Sequence, residues 1–232
     1  MKPQLLTIVM PVYNERATLR PAIERLVKTD LPLPVELVVV DDGSADGSLE
    51  TVADLADPGR VRLIRHLRNR GKGGAIRTGI EVARGDVLTV LDADLEYDPA
   101  DLAGLLEPIL DDDARVVYGT RAFGAHTAYS FWYVVGNKLV NLWASFLFDT
   151  WLSDVYTCLK MAPTELWRAV DLRAVGFGVE AETTGKFLSR GEQIFEVPIS
   201  YRARSREEGK KIRPADGLRA LWILLRIRMA GR

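Results

Sequence analysis

The chain has 232 residues, of which 47% are hydrophobic and 27% charged, a globular balance with enough apolar material for its own core. Its single cysteine, Cys158, excludes an internal disulfide framework and a Cys-based zinc site, and points to a reducing compartment. The net charge of −1 excludes bulk affinity for nucleic acid, but residues 201–232 carry ten Lys/Arg against three Asp/Glu, a +7 tail on a −8 body.

Residues 5–10 are a short apolar run stopped by Pro11, the pattern of a strand buried on both faces. The run is too short for a signal-peptide core and has no small-residue cleavage site after it. Ile23, Leu26 and Val27 space a helix, with Pro21 tolerable in its first turn. A second strand follows over 35–40, then a helix over 48–56 capped by Asp46. The pattern continues with a strand over 61–64, a helix over 73–83, a strand over 87–91, a helix over 99–110 and a strand over 115–118. Strands separated by helices of this length predict an α/β domain with a mainly parallel sheet flanked by helices.

Residues 122–148 are nearly free of charge, but Asn137, Lys138 and Asn141 interrupt them, so the stretch reads as amphipathic rather than spanning. Its aromatics, among them Trp132, Trp143 and Trp151, suit either a membrane interface or a buried core. The last helix, over 216–228, sets Leu218, Trp222, Leu225 and Met229 on one stripe beside Arg219, Arg226 and Arg228. It reads as an interfacial helix with snorkelling arginines, with docking on the body as the competing reading. The expected organisation is therefore a catalytic domain over 1–212, with membrane-facing amphipathic helices at 127–152, and a basic helix over 213–232.

Ligands of open α/β sheets bind beyond the carboxyl ends of the strands. Three of those ends are acidic here: Glu15 after the first strand, Asp41 and Asp42 after the second, and Asp92, Asp94 and Glu96 after the fourth. Like charges brought together cost stability unless a cation neutralises them. Asp92 and Asp94 are two apart and point the same way if the backbone is extended. With Glu96 they offer hard oxygen ligands suited to Mg²⁺ or Mn²⁺. One such pair reads as readily as a turn or cap, but three aligned strand ends do not. Gly71, Lys72, Gly73 and Gly74 open a helix, and their backbone suits a phosphate-bearing ligand, although no Walker A spacing is present. His66 and His126 read as surface or packing histidines.

The motifs Pro11-Val12-Tyr13-Asn14-Glu15, Asp41-Asp42-Gly43-Ser44, Gly71-Lys72-Gly73, Asp92-Ala93-Asp94 and Gly119-Thr120-Arg121 stand in the order seen in family 2 glycosyltransferases of the GT-A fold, which the chain resembles over nearly its whole length. The segment from Asp92 to Pro99, with Glu196 to Tyr201, Arg204 and Gly209 to Ile212, is similar to the dolichyl- or polyprenyl-phosphate branch, the dolichol-phosphate mannosyltransferase type. That branch moves one sugar from a nucleotide sugar to a polyprenyl phosphate. The resemblance implies that Pro11, Tyr13 and Glu15 line the base and ribose pocket, completed by Asp41 and Asp42, with Lys72 and Ala93 beside the nucleotide. It implies that Asp92 and Asp94 meet the metal and diphosphate, and that Glu96, where many relatives carry Gln, is a third ligand. Arg121, Arg204, Lys210 and Lys211 would gather phosphate charge, with Lys210 on the substrate, and Asp94, Arg121, Arg204 and Lys211 are the candidates for the reacting step. Asp154 stands where sugar-acceptor relatives often place a base, and reads here as a positioning residue.

These features predict a metal-dependent, inverting enzyme acting at the inner face of the cytoplasmic membrane. Its donor would be a UDP-hexose, a UDP-N-acetylhexosamine or GDP-mannose, and Gly209-Lys210-Lys211 leans towards UDP because mannosyl relatives more often carry a serine there. Its partners would be the donor, the lipid phosphate, the membrane surface and, as in some relatives, a polytopic membrane protein. Three other readings stay open beside it: a nucleotidyltransferase, a glycosyltransferase with a non-lipid sugar acceptor, and a non-catalytic membrane-binding module.

Overall fold

The computed structural model describes residues 2–122, 131–203 and 214–230. Strands β1 (Leu6–Val12), β2 (Val35–Asp41), β3 (Val61–Arg65) and β4 (Val87–Val90) are parallel, in the order β3-β2-β1-β4. The sheet continues through three more strands, β5 (Val116–Thr120), β6 (Lys160–Pro163) and β7 (Ile194–Pro198). Here β6 runs antiparallel between β4 and β5, and β7 lies parallel to β5 at the edge.

Strands β1, β2 and β4 are buried on both faces, while β3 at the edge is half-exposed, and side-chain alternation divides them between two layers. Leu6, Ile8 and Met10 of β1 pack with α1 (Leu19–Lys28) and α3 (Asp101–Leu110). Helix α1 buries Leu19, Ala22, Ile23 and Leu26, the spacing of one helical face. Val9 turns to the other layer, with Ile76 and Ile80 of α2 (Lys72–Val82), Leu166 and Trp167 of α5 (Thr164–Ala169), and Phe187 of α6 (Gly178–Ser189). A third cluster joins α4 (Phe131–Phe148) and α7 (Pro214–Ala230) to α6 through Val140, Ala144, Ala181, Ala220 and Leu224.

One expectation is corrected and one is refined. Pro11 does not stop the first strand, which runs on to Val12. Val12 accepts from the β2 side and Val9 from the β4 side, so Pro11 faces β4, which has already ended opposite Val9; its missing N–H costs no ladder bond. Residues Leu49–Leu55 form a 3-10 helix rather than an α-helix. Asp46 still serves that turn, its Oδ1 accepting from the Ser48 N–H at 2.9 Å.

Register fixes where chemistry can lie. Val12 pairs with Asp41 and Val9 with Val90, so the segments after β1, β2 and β4 leave the sheet at one edge. Among the described residues no helix is long and apolar enough to cross a membrane.

Candidate active site

A cavity of about 320 Å³ opens at that edge. Pro11 at the end of β1 and Tyr13 and Glu15 just past it line the cavity, with Asp42 just past β2, Lys72 from α2, Asp92, Ala93, Asp94 and Glu96 from the segment after β4, and Arg121 just past β5. Arg204, Lys210 and Lys211 lie outside the described residues. Asp41 does not line the cavity. It is fully buried, and its carboxylate accepts from the Ser44 N–H at 3.0 Å and from Arg65 Nε at 3.1 Å, which makes it a turn and ion-pair residue.

Asp42 is buried, with Oδ1 accepting from the Arg70 N–H at 2.9 Å and bonded to His66 Nδ1 at 2.6 Å. Its Oδ2 is buried with no hydrogen-bond partner. A buried carboxylate oxygen left unpaired is costly, and an N–H entering the cavity would satisfy it. His66 is neither on the surface nor a mere packing residue: it is buried, with Nε2 2.9 Å from Thr78 Oγ1, and it braces Asp42.

The segment after β4 is a turn, not extended backbone, so two-residue alternation does not set its side-chain directions. Leu95 holds φ +63° between Asp94 and Glu96. Asp94 Oδ1 accepts from the Glu96 N–H at 3.1 Å, and the Glu96 carboxylate accepts from the Tyr201 hydroxyl. Asp92 Oδ2 is taken by the Lys72 ammonium at 2.8 Å. Among the described residues no three His, Cys, Asp or Glu close round one point, so Asp92, Asp94 and Glu96 do not form a ready-made metal cage. Asp94 and Glu96 remain two hard carboxylates on the cavity wall. That donor set fits Mg²⁺ or Mn²⁺, which commonly takes one or two carboxylates and completes its shell with water and substrate phosphates.

The glycine-rich opening of α2 serves a different partner from the phosphate expected. The Gly73 N–H donates to Val175 O at 2.9 Å, and the Gly74 and Ala75 N–H groups both donate to Gly71 O. A Cβ on Gly73 would lie 1.9 Å from Ala174 O, and one on Gly71 2.2 Å from Val175 O. The glycines admit the backbone of residues 174–175 rather than an anion. Lys72 does reach the cavity, but its ammonium is held between Asp92 and Glu180 Oε1, the latter at 3.0 Å. Burial disfavours the charged amine there, yet the two carboxylates outweigh it and hold its pKa well above the ordinary lysine value.

Arg121 is buried and clamped by Asp154: Nε donates to Oδ2 and Nη2 to Oδ1, each at 2.7 Å. Its guanidinium also lies 4.8 Å from the Tyr201 ring centre. With both oxygens engaged by one guanidinium, Asp154 is a positioning residue. The Ser153 N–H, at 3.0 Å, and the Asp154 N–H, at 3.3 Å, donate to Glu196 Oε1, which ties this corner to β7.

Sequence reasoning missed several cavity residues: Asn69, Tyr97, Tyr156, Phe177, Glu180 and Tyr201. Tyr201 ended one of the motifs and carried that much signal. Glu180 and Phe177 belong to the start of α6, where nothing in the sequence separates a buried acid from a solvated one.

The glycosyl transferase family 2 model matches residues 7–156. The chain is 32% identical over 229 residues to polyprenol monophosphomannose synthase of Mycolicibacterium smegmatis, covering 93% of this chain and 85% of that protein. It is 28% identical over 222 residues to dolichol-phosphate mannosyltransferase of Pyrococcus furiosus, covering 88% of this chain but 58% of the longer relative. Its fold matches glucosyl-3-phosphoglycerate synthase from Mycobacterium tuberculosis, solved with Mn²⁺, UDP and glucosyl-3-phosphoglycerate, with a TM-score of 0.72, 20% identity and coverage of 97% and 80% of the two chains.

Proposed function

The chain belongs to glycosyl transferase family 2 and is a glycosyltransferase of the GT-A fold; from that premise we propose that it moves one sugar from a nucleotide sugar to a polyprenyl phosphate, with inversion at the anomeric carbon. The observation that carries the reading is one cavity lined by Asp42, by the Asp94 and Glu96 carboxylates and by Arg121. Asp42 Oδ2 accepts an N–H of the base, and the cavity depth from Pro11 and Tyr13 takes the nucleoside. Asp94 and Glu96 are the residues that would hold a divalent ion. When bound, such an ion offsets the charge developing on the diphosphate leaving group.

In this reading a lipid phosphate oxygen forms the new bond to the anomeric carbon as the bond to the nucleoside diphosphate breaks. A phosphate monoester is largely ionised near neutral pH, its second pKa being about 6, so the step needs no general base. The clamping of Asp154 on Arg121 supports this acceptor over a sugar hydroxyl, which would need a base at that corner. Arg121 is the described cation that meets the incoming phosphate, and Arg204, Lys210 and Lys211 are assigned to the same task by the resemblance.

The donor rests on two opposed signals. Gly209-Lys210-Lys211 favours UDP, while the names of both relatives above carry mannose and favour a mannosyl donor. The exposed side chains Leu139, Leu142 and Phe146 of α4 and Leu218, Trp222 and Met229 of α7 form the proposed membrane face, at the inner side of the cytoplasmic membrane. Incubation with polyprenyl phosphate, Mn²⁺ and a panel of UDP- and GDP-sugars, read by mass spectrometry, should give one polyprenyl-phosphate-sugar and release nucleoside diphosphate. Release of pyrophosphate, or transfer to a free sugar alone, would remove this acceptor.

A further inference from the structure

Four charges alternate from the cavity wall into the core, each from a different part of the fold. Asp92 follows β4, Lys72 opens α2, Glu180 lies in the first turn of α6, and Lys160 starts β6. Lys72 Nζ donates to Asp92 Oδ2 at 2.8 Å and stands within ion-pair range of Glu180 Oε1, at 3.0 Å but outside hydrogen-bond geometry. Lys160 is fully buried, and its ammonium donates to Glu180 Oε2 at 2.7 Å, Thr157 O at 2.7 Å and Val155 O at 2.9 Å, which uses all three protons.

Two lysines and two carboxylates sum to zero, the condition under which such a chain tolerates burial. Burial pushes the Glu180 carboxyl up, but the Lys160 and Lys72 ammoniums more than reverse this and keep it below the ordinary glutamate value. A lysine on four flexible carbons has no fixed position of its own. Held only by Asp92, the Lys72 ammonium could leave for any anion entering the cavity. Held also by Glu180, it is pinned from behind, and Asp92 faces the cavity as one half of a balanced pair.

We infer that Glu180 is a positioning residue of the donor site: it anchors Lys72 against Asp92, and Lys160 supplies the counter-charge that keeps the anchor in the core. The inference rests on the proposed function, because it takes the cavity to be the seat of a nucleoside diphosphate. A fixed, neutralised Asp92 spares an incoming diphosphate one full repulsion, so the loss should fall on donor binding rather than on the chemical step.

Glu180→Gln alone leaves the Lys160 ammonium without its carboxylate and can unfold the core. The double variant Glu180→Gln/Lys160→Met removes both charges and keeps similar volume. The double variant should regain part of the melting temperature lost by the single one, the Val155 and Thr157 carbonyls having lost their donor, yet keep a donor KM raised about tenfold with kcat within about threefold of wild type, a factor of ten being one RT ln 10 of binding. Calorimetric binding of UDP and GDP with Mn²⁺ present should weaken by the same factor. A folded double variant with wild-type KM and wild-type nucleotide affinity would overturn the inference and leave the proposed function standing. A wild-type protein that binds neither nucleotide would overturn both.

Discussion

Asp94, Leu95 and Glu96 concentrate the argument at the scale of single residues. A leucine in the left-handed region carries a steric cost of about 1–2 kcal/mol, and Leu95 at φ +63° sits between the two carboxylates assigned to a divalent ion. Such strain persists where the surroundings over-determine it, as the Asp94 and Tyr201 contacts to Glu96 do here. Asp94→Asn keeps an oxygen that can accept from the Glu96 N–H and so keeps the turn, but it loses the charge. Transfer should fall by about a hundredfold or more, the scale set by removal of one group that stabilises developing charge, while the melting temperature stays close to wild type. Full activity across a Mn²⁺ titration would sink the assignment of Asp94 to the ion. The acids were legible in the sequence because each directly follows a strand. The glycines were not, because a sequence shows that a backbone can be approached closely and not what approaches it; at Gly73 the visitor is Ala174 O.

At the scale of elements, α7 shows why a helix with two different apolar faces looks only weakly amphipathic in its sequence. Ala220 and Leu224 turn inward against α4 and α6, while Leu218, Trp222 and Met229 turn outward. Trp143 Nε1 donates to Leu221 O at 3.1 Å, and Tyr156 Oη donates to Asp216 O at 3.3 Å, which fasten the helix to the body. The docking reading therefore holds for the inner face, and the outer face stays exposed, as the proposed interfacial helix requires. With apolar residues on both faces the periodicity blurs, and only the outer stripe could be read in advance. Arg219 and Arg226 are exposed beside Trp222, the arrangement of an interfacial helix that reaches for anionic headgroups. Trp222→Glu, 62% exposed in the native chain, should cost little stability. It should lower binding to vesicles containing anionic lipid by about tenfold, since it trades buried apolar area for a charge repelled by the surface. Sedimentation with vesicles of graded anionic content measures this. Undiminished binding would detach α7 from the proposed membrane face.

For the whole molecule, β1 to β5 were legible and the two strands that complete the sheet, β6 and β7, were not. Strands β1, β2 and β4 are apolar runs followed by turn acids, whereas β6 is four residues long and begins with the buried Lys160, and β7 carries Glu196 in its middle. Polar residues inside short strands erase the signal that identifies them, and here they are the residues that join the second half of the fold to the site. The same buried charges set how the fold responds to acid. Burial raises the carboxyls of Glu36 and Asp46, but hydrogen bonds outweigh it: the Arg84 N–H, Thr7 hydroxyl and Arg62 guanidinium at Glu36, and Ser48 and Arg16 at Asp46. Glu180 is lowered by its two lysines. For each, the unfolded chain takes up a proton at higher pH than the native one, so the stability it contributes is complete above its ordinary value and is lost as pH falls through its lowered native value. Asp101 and Glu196, raised by burial, work in the opposite sense. Protonating them breaks no ion pair, whereas protonating Glu180 or Glu36 strands Lys160, Arg62 and Arg84 without their carboxylates. The ion-paired groups should therefore dominate: the melting temperature should hold near neutral pH and fall as pH drops below the ordinary glutamate value of 4.5. The fall should be shallower in Glu180→Gln/Lys160→Met, which has one such pair fewer. Scanning calorimetry from pH 7 to about pH 3 separates the cases, and a melting temperature that rises through that window would mean that Asp101 and Glu196, whose carboxyls are raised by burial, govern the response.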